Sequence, residues 1–291
     1  MREVVIISGK GGTGKTSLTG AFAHLASNKV VCDLDVDAPD LHLLLRPKID
    51  LSEEFISGHV AQIDENLCTG CGVCASMCAY EAVRANGQSF AVDPLRCEGC
   101  KVCVAFCPAG AVVFPEKHCG RWHISSTRFG PLVHARLFAG EPNSGRLVTL
   151  LKQQARKLAK SEGKTLILSD GAPGIGCPVI SSLSGAALAV AVTEPTPSGR
   201  HDLERVADLC AHFQIGLAVI INKFDLNPAE ADGIDNYCRS KGYPVLSRLP
   251  HDPLVTKAMV EGVVVTELSE TDFSKEVRKT WKRIEELVAR G

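Results

Sequence analysis

The cysteines carry the most specific chemical pattern in this sequence. The spacing C-x2-C-x2-C-x3-C begins at Cys68 and occurs again from Cys97. In proteins that hold two iron–sulfur clusters, three cysteines of such a run bind one [4Fe-4S] cluster and the fourth binds the other cluster. The repeat therefore predicts one cluster on Cys68, Cys71, Cys74 and Cys107, and a second on Cys97, Cys100, Cys103 and Cys78.

Structural zinc is the alternative for these cysteines, because zinc sites also use C-x2-C pairs. One zinc ion takes four ligands in a closed tetrahedron, whereas the repeat supplies two overlapping quartets. The run matches that of bacterial ferredoxins; Pro108 follows Cys107 as in that pattern, although Ala79 replaces the proline of the first copy. Residues 61–115 are therefore predicted to form an inserted bacterial-ferredoxin-like α+β module.

A second pattern, GKGGTGKT, follows a short β-branched run near the amino terminus. It matches the phosphate loop G-x-x-x-x-G-K-[ST]. In this motif backbone N–H groups surround the phosphates, the lysine bridges the terminal phosphates and the hydroxyl binds Mg²⁺. The predicted nucleotide-binding residues of the loop are Gly9, Lys10, Gly11, Gly12, Thr13, Gly14, Lys15, Thr16 and Ser17.

The same glycines also fit the dinucleotide motif G-x-G-x-x-G, with Asp33 placed as a ribose-binding carboxylate would be. A dinucleotide site leaves Lys15 and Thr16 without a role. It also predicts nothing at Asp170, which follows the apolar run TLILS. A nucleoside triphosphate with Mg²⁺ is therefore favoured.

Short β-branched runs alternate with helical periodicity on both sides of the cysteine repeat, which is typical of a parallel sheet covered by helices. The predicted fold class is α/β, a doubly wound and mostly parallel P-loop NTPase sheet. The predicted ATPase domain is discontinuous, over 1–60 and 116–291. Strands are expected at 4–7, 30–32, 165–168, 187–192, 217–221 and 245–247, and amphipathic helices at 145–162, 202–213 and 273–289.

The loop GKGGTGKT with its additional Lys10, the acidic pair Asp33 and Asp35, and SDGAPGIG together resemble the MinD/ParA group of deviant Walker A ATPases. That group includes the nitrogenase iron protein and the Mrp-type iron–sulfur carriers. With the cysteine repeat, the chain resembles the ferredoxin-containing branch of the MinD superfamily over nearly its whole length. The C-terminal CxxC of the Mrp-type carriers is absent, which weakens a transfer of their assembly role.

The resemblance implies an ATP-dependent dimer, either a homodimer or a heterodimer with a related ATPase, in which Lys10 reaches the phosphates of the other subunit. It implies that Asp35 orients the attacking water and that Gly174 senses the γ-phosphate. The implied catalytic set is Lys10, Lys15, Asp35 and Asp170; the implied Mg²⁺ set is Thr16, Asp33 and Asp170; and the implied base contacts are Asn222 and Pro250. Asn222 begins the tetrapeptide NKFD, which ends at Asp225 and has the form NKxD. Because NKxD also occurs in GTPases, the preference for ATP rests on the deviant loop.

Cys177, in GIGCP, resembles a ligand of the bridging cluster in the nitrogenase iron protein, with Cys119 as its companion. Packing at a helix start explains Cys177 equally simply, so a third, intersubunit cluster and a structural role both stay open. The remaining cysteines, Cys32, Cys210 and Cys238, lie on apolar segments and are expected in the core.

Lys and Arg total 32 against 33 for Asp and Glu among 291 residues, so no net charge draws the chain to nucleic acid. The longest apolar run, 186–192, is too short to span a bilayer, and the acidic residues of 273–289 favour a docked helix over a membrane anchor. We expect a cytoplasmic protein without stable membrane insertion.

Three functions fit these patterns. The first is ATP-gated electron transfer through two [4Fe-4S] clusters to an unidentified redox partner. The second is assembly of iron–sulfur or other metallocofactors for a client protein. The third is a MinD-like nucleotide switch whose ferredoxin segment docks partners. The pattern of two complete quartets favours tightly held clusters, and therefore electron transfer.

Overall fold

In the computed structural model, residues 1–141, 143–268 and 270–290 are described. The strands are β1 (Arg2–Ser8), β2 (Lys29–Asp33), β3 (Lys48–His59), β4 (Gln62–Ile63), β5 (Val83–Asn86), β6 (Ser89–Val92), β7 (Val112–Val113), β8 (Glu116–Thr127), β9 (Gly130–Leu137), β10 (Leu166–Pro173), β11 (Leu188–Thr193), β12 (Gly216–Asn222) and β13 (Val245–Leu249). The helices are α1 (Lys15–Leu25), α2 (Leu41–Leu45), α3 (Val73–Ser76), α4 (Val102–Ala105), α5 (Ser144–Ser161), α6 (Cys177–Leu183), α7 (Pro197–His212), α8 (Pro228–Lys241), α9 (Pro253–Val260), α10 (Val265–Leu268) and α11 (Asp272–Arg290).

The described chain separates into two compact units. The larger unit comprises Met1–Glu53, Trp122–Arg136 and the chain from Ser144 onward. The smaller unit comprises Glu54–Arg121 and Leu137–Asn143. All eight cysteines of the repeat lie in the smaller unit, and the phosphate loop lies in the larger one.

A sheet of nine described strands has the order β13-β12-β11-β1-β10-β2-β9-β8-β3. The pairs from β13 to β9 are parallel. This confirms the predicted α/β class with a mostly parallel sheet. The six strands expected from the sequence are all present, whereas β3, β8 and β9 were not predicted.

The central strand β1 shows why helices cover both faces of this sheet. Its apolar residues alternate between two cores, because successive side chains of a strand point to opposite faces. Val4 and Ile6 belong to a core shared with α1 and α11. Val5 and Ile7 belong to a core shared with α6, α7 and α8. A strand buried on both faces reads as a continuous apolar run, as VVII does here.

Helix α11 is docked on the larger unit, as its acidic residues predicted. Its apolar stripe is buried, and the ring of Trp281 lies 5.4 Å from that of Phe22 on α1. None of the described helices is both long and apolar enough to cross a membrane. Helix α7 begins at Pro197 and not at the predicted residue 202, because Thr196 caps it by accepting the N–H of Gly199 at 3.0 Å.

The smaller unit repeats one backbone arrangement in its two halves. Asp64 accepts the N–H of Asn66 at 2.9 Å, and Asp93 accepts that of Leu95 at 3.0 Å. The backbone carbonyls of the same two aspartates then accept N–H groups at the first cysteine of each run: Asp64 from Cys68 and Asp93 from Cys97. Two short antiparallel pairs, β4 with β7 and β5 with β6, complete the unit. The cysteine repeat is therefore also a repeat of local structure.

Candidate functional site

The phosphate loop joins the end of β1 to the start of α1. Gly14, at the N-cap of α1, has φ of 90°, a conformation that L side chains rarely adopt. A Cβ there would also lie 2.5 Å from Nδ2 of Asn222. No side chain caps α1 in the described structure, so the amide groups of its first turn are available to an anionic ligand.

Three carboxylates surround Lys15 at the carboxyl ends of neighbouring strands. Asp170 on β10 pairs in register with Asp33 on β2, and Asp35 follows β2. The Lys15 Nζ lies 2.9 Å from Oδ1 of Asp170 and 3.5 Å from Oδ2 of Asp35. Burial alone would lower the pKa of Lys15, but attraction to Asp170 and Asp35 outweighs it and raises that pKa. Lys15 is therefore held as a buried cation.

Asp170 also organises the hydroxyls of α1. Its Oδ2 accepts from Thr16 Oγ1 at 2.7 Å, and its Oδ1 accepts from Thr19 Oγ1 at 2.9 Å. Thr16 and Asp170 thus present neighbouring oxygens of the kind that Mg²⁺ prefers. Thr19 was not predicted, although its position one helical turn after Lys15 places it on the same face of α1.

Asp33 has the least favourable surroundings in this carboxylate group. It is 1% exposed, and its Oδ2 has no hydrogen-bond partner among the described residues. Its Oδ1 accepts the N–H of Asp35 at 3.1 Å. Burial, followed by repulsion from Asp170, raises the pKa of Asp33 well above its usual range. Burial likewise raises the pKa of Asp35, against the opposing attraction of Lys15. A bound cation would offset this concentration of carboxylates.

The predicted switch glycine and base contacts lie around the same loop. The Gly174 N–H donates to the Ser8 carbonyl at 2.9 Å, and Gly174 has φ of 90°. Asn222, the last residue of β12, donates from Nδ2 to the Thr13 carbonyl at 2.8 Å. The Asp225 carboxylate accepts the N–H of His251 at 2.6 Å, which ties it to the turn containing Pro250. The predicted roles of Gly174, Asn222 and Pro250 stay predictions.

Lys10 contacts the segment 194–198, which was not predicted to be part of the site. Its Nζ lies 3.4 Å from Oε2 of Glu194 and donates to the hydroxyls of Thr196 at 3.2 Å and Ser198 at 3.3 Å. Lys223 approaches the other oxygen of Glu194 at 2.5 Å. No sequence signal links these residues, because the fold brings them together from distant parts of the chain.

Each predicted cysteine quartet lines a cavity of its own in the smaller unit. One cavity is lined by Cys78, Cys97, Cys100 and Cys103. The other is lined by Cys68, Cys71, Cys74 and Cys107. The fourth cysteine of each run thus faces the cavity of the other run. This is the crossed arrangement that the spacing predicts.

In both runs, a backbone N–H group donates to the sulfur of the fourth cysteine. Ala82 donates to Sγ of Cys78 at 3.4 Å, and Ala111 donates to Sγ of Cys107 at 3.3 Å. Burial, and then the proximity of Cys68 and Cys107, raise the pKa of Cys74. The thiols of one quartet are therefore close enough to affect one another.

Within residues 1–141, 143–268 and 270–290, no three His, Cys, Asp or Glu side chains converge as ligands do around a single metal ion. The four cysteines of a [4Fe-4S] cluster bind separate iron atoms and surround the cluster. The two clusters stay a prediction.

The two cysteines of the predicted third cluster have different surroundings. Cys177 is exposed at the first position of α6, in the larger unit. Cys119 is buried in the smaller unit, and its Sγ donates to the Ser57 carbonyl at 3.1 Å. Burial raises the pKa of Cys119. A shared cluster on Cys177 and Cys119 stays a prediction. Cys32, Cys210 and Cys238 are buried, as expected.

The fold and the loop define a P-loop nucleotide-binding protein of the α/β class. The model of the CobQ/CobB/MinD/ParA nucleotide binding domain matches residues 4–265. The chain belongs to this family, and its nucleotide-binding function is of the MinD/ParA ATPase type.

Two uncharacterized proteins of Methanocaldococcus jannaschii are similar in sequence. One is 29% identical over 289 residues, covering 98% of this chain and 97% of that protein. The other is 24% identical over 282 residues, covering 84% of this chain and 91% of that protein.

Solved MinD structures share the fold at low sequence identity. The cell division ATPase MinD of Pyrococcus furiosus has a TM-score of 0.59 at 19% identity, covering 98% of this chain and 99% of its own. MinD of Pyrococcus horikoshii, in complex with Mg-ADP, has a TM-score of 0.59 at 17% identity, covering 99% of this chain and 98% of its own. The MinC:MinD complex of Aquifex aeolicus has a TM-score of 0.57 at 18% identity, covering 98% of this chain and 96% of the matched chain.

Proposed function

We propose that this protein is an ATP-hydrolysing iron–sulfur protein in which nucleotide state controls electron transfer through two [4Fe-4S] clusters. The clusters would occupy the two cysteine-lined cavities, within a ferredoxin-like segment, 61–115, inserted into a MinD-like ATPase. The observation that carries the proposal is the crossed lining of the cavities, since each quartet combines three cysteines of one run with the fourth of the other.

The nucleotide half of the proposal rests on the residues around Lys15. Lys15 would leave its contacts with Asp170 and Asp35 to bind the terminal phosphates. Thr16 and Asp170, which already share a 2.7 Å hydrogen bond, would hold Mg²⁺ together with Asp33. Asp35 would orient the attacking water and Gly174 would respond to the γ-phosphate. The Mg-ADP complex of Pyrococcus horikoshii MinD supports a magnesium nucleotide in this fold.

We propose that the base of the bound nucleotide is adenine. In the GTPases that share NKxD, the aspartate recognises guanine. Here one oxygen of Asp225 is occupied by the N–H of His251 at 2.6 Å, close to Pro250. Asn222 remains next to the loop and would contact the base from there.

Iron–sulfur clusters in these cavities would supply one-electron transfer. The chain's own contribution is to provide thiolates in two matched sets and to donate backbone N–H groups to the sulfurs of Cys78 and Cys107. Such hydrogen bonds influence the reduction potential of a cluster. The thiols of Cys74 and Cys103 have pKa values raised by burial, so binding iron would compensate the cost of ionising them.

Iron and acid-labile sulfide per chain, measured after anaerobic purification, test the proposed cofactor content. We expect about eight iron atoms per chain. One tetrahedral zinc per quartet with no sulfide would refute the cluster assignment. Iron that passes readily to an acceptor apoprotein would favour the cofactor-assembly function. Stable clusters whose properties do not change with nucleotide would favour a docking role.

An ATP-dependent dimer and a protein partner are also part of the proposal. The MinC:MinD complex is a precedent for a partner in this fold.

A further inference from the structure

Glu194, the first residue after β11, contacts Lys10 of the phosphate loop and Lys223, the first residue after β12. Its Oε2 lies 3.4 Å from Nζ of Lys10, and its Oε1 lies 2.5 Å from Nζ of Lys223. The Lys10 ammonium also donates to the hydroxyls of Thr196 and Ser198. One carboxylate and two hydroxyls therefore hold Lys10 against its own chain.

Close packing fixes the backbone that carries these acceptors. Thr196 caps α7 by accepting the N–H of Gly199, and Thr193 donates to the Gly199 carbonyl at 3.0 Å. A Cβ at Gly199 would lie only 2.4 Å from the Glu194 carbonyl oxygen. The segment is therefore held by its own contacts, whether or not Lys10 is bound to it.

The charge of Glu194 matters more to Lys10 than to Lys223. Lys223 has a second anchor, since it donates to the Gly12 carbonyl at 3.0 Å. For Lys10, Glu194 is the one carboxylate paired with it in the described chain, and the other acceptors are neutral. The Glu194 side chain is 16% exposed, so solvent screens the pair only in part. Neutralising Glu194 would mainly release Lys10.

We propose that Glu194 is a positioning residue that keeps Lys10 on its own subunit and must release it before Lys10 can reach the nucleotide of another subunit. This inference rests on the proposed function, in which Lys10 acts across an ATP-dependent dimer. One ammonium group cannot occupy both places, so pairing with Glu194 competes with dimer formation. Glu194 thereby opposes dimerisation until Lys10 binds nucleotide phosphates more strongly than it binds Glu194.

The test is the monomer–dimer equilibrium of the holoprotein with a non-hydrolysable ATP analogue, measured by analytical ultracentrifugation. Glu194→Gln keeps the shape of the side chain and removes its charge. We expect the dimerisation midpoint to fall about three- to fivefold, as for loss of a partly exposed ion pair. The difference should shrink at high salt, because the competing interaction is ionic. Glu194→Asp, which keeps the charge, should remain closer to wild type.

Glu204→Gln is the matched control, since it removes an exposed carboxylate that pairs with Arg200 at 3.2 Å on α7. It should leave the midpoint unchanged. Ser198→Ala removes a neutral acceptor of Lys10 and should shift the midpoint in the same direction by a smaller factor, which provides a second variant if Glu194→Gln folds poorly. Nucleotide affinity, measured separately, should change less than about twofold, so that an effect through Lys223 is recognised.

The outcomes separate this inference from the proposed function. A wild-type protein that dimerises with nucleotide while Glu194→Gln has the same or a higher midpoint overturns the role of Glu194 and leaves the dimer intact. A wild-type protein that stays monomeric at all concentrations of nucleotide refutes the dimer, and the role of Glu194 with it.

Discussion

Replacing Asp33 by asparagine should stabilise the nucleotide-free protein while removing the proposed ATPase activity. Asp33 lies 1% exposed beside Asp170, and one of its oxygens has no partner among the described residues. The amide oxygen of the substituted side chain would still accept the N–H of Asp35, and the amide has no charged form that burial and Asp170 would oppose. The carboxylate would be needed for Mg²⁺, so stability and activity should change in opposite directions.

The direction follows from the raised pKa of Asp33. A carboxyl whose pKa is raised in the folded state destabilises folding at pH values above its ordinary pKa near 3.9, and a buried polar group without a partner costs about 1–3 kcal/mol. Because the side chain of asparagine also has polar atoms to bury, a gain of about 2 kcal/mol is expected. The gain should be largest near neutral pH. It should diminish as the pH falls towards 4, where the unfolded carboxyl is also protonated.

Urea unfolding of nucleotide-free and magnesium-free protein, followed by tryptophan fluorescence, measures this gain. Both tryptophans, Trp122 and Trp281, belong to the larger unit, so the signal reports on the unit that contains Asp33. Asp40→Asn, which changes an exposed carboxylate in the segment after β2, is the control and should change stability by less than about 0.5 kcal/mol. An Asp33→Asn protein that is less stable than wild type at pH 7 would refute the electrostatic reasoning.

Three further predictions concern the loop, the cysteines and a buried histidine. Lys15→Ala should abolish nucleotide binding in an equilibrium assay while the iron content stays unchanged; loss of both would mean that the loop is structural. Cys100→Ser should remove about half of the iron, whereas Cys32→Ser, in the core of the larger unit, should remove none. Burial lowers the pKa of His134 to about 4, so the folded state resists its protonation. Stability should fall as the pH drops from about 6.5 to 4, by up to about 3 kcal/mol, and His134→Asn should lack this part of the pH dependence in urea unfolding.

The parts of the fold that could be predicted are those specified by neighbouring residues. The strand β1, the loop and α1 follow from one continuous motif, and the crossed quartets follow from cysteine spacing alone. Asp170 was recognised because an apolar strand leads directly into it. In each case the signal lies in a short, continuous stretch of the sequence.

The unpredicted strand β3 has a weak pattern for a physical reason. Strand β3 lies at the end of the sheet order, and only Phe55 and Ser57 of its residues are buried. An edge strand with few buried side chains lacks the apolar alternation that identifies a strand. The start of α7 did have a signal, since Thr196 followed by Pro197 is typical of a helix start.

The contacts of Lys10 could not be predicted from sequence, because they join residues that only the folded sheet brings together. Lys10 follows β1 and Glu194 follows β11, and these strands are parallel neighbours. The carboxyl ends of neighbouring parallel strands meet at one edge, so their loops lie side by side. Pairing of these two strands was not specified by the sequence.

In the proposed function, nucleotide state and two iron–sulfur clusters are coupled within one chain. EPR of the anaerobically purified, dithionite-reduced protein, recorded with and without MgATP, tests it most directly. We expect signals of reduced [4Fe-4S] clusters whose line shape or reduction potential changes when MgATP is added. This change should be lost in Lys15→Ala. Cluster signals that are identical with and without MgATP would contradict it.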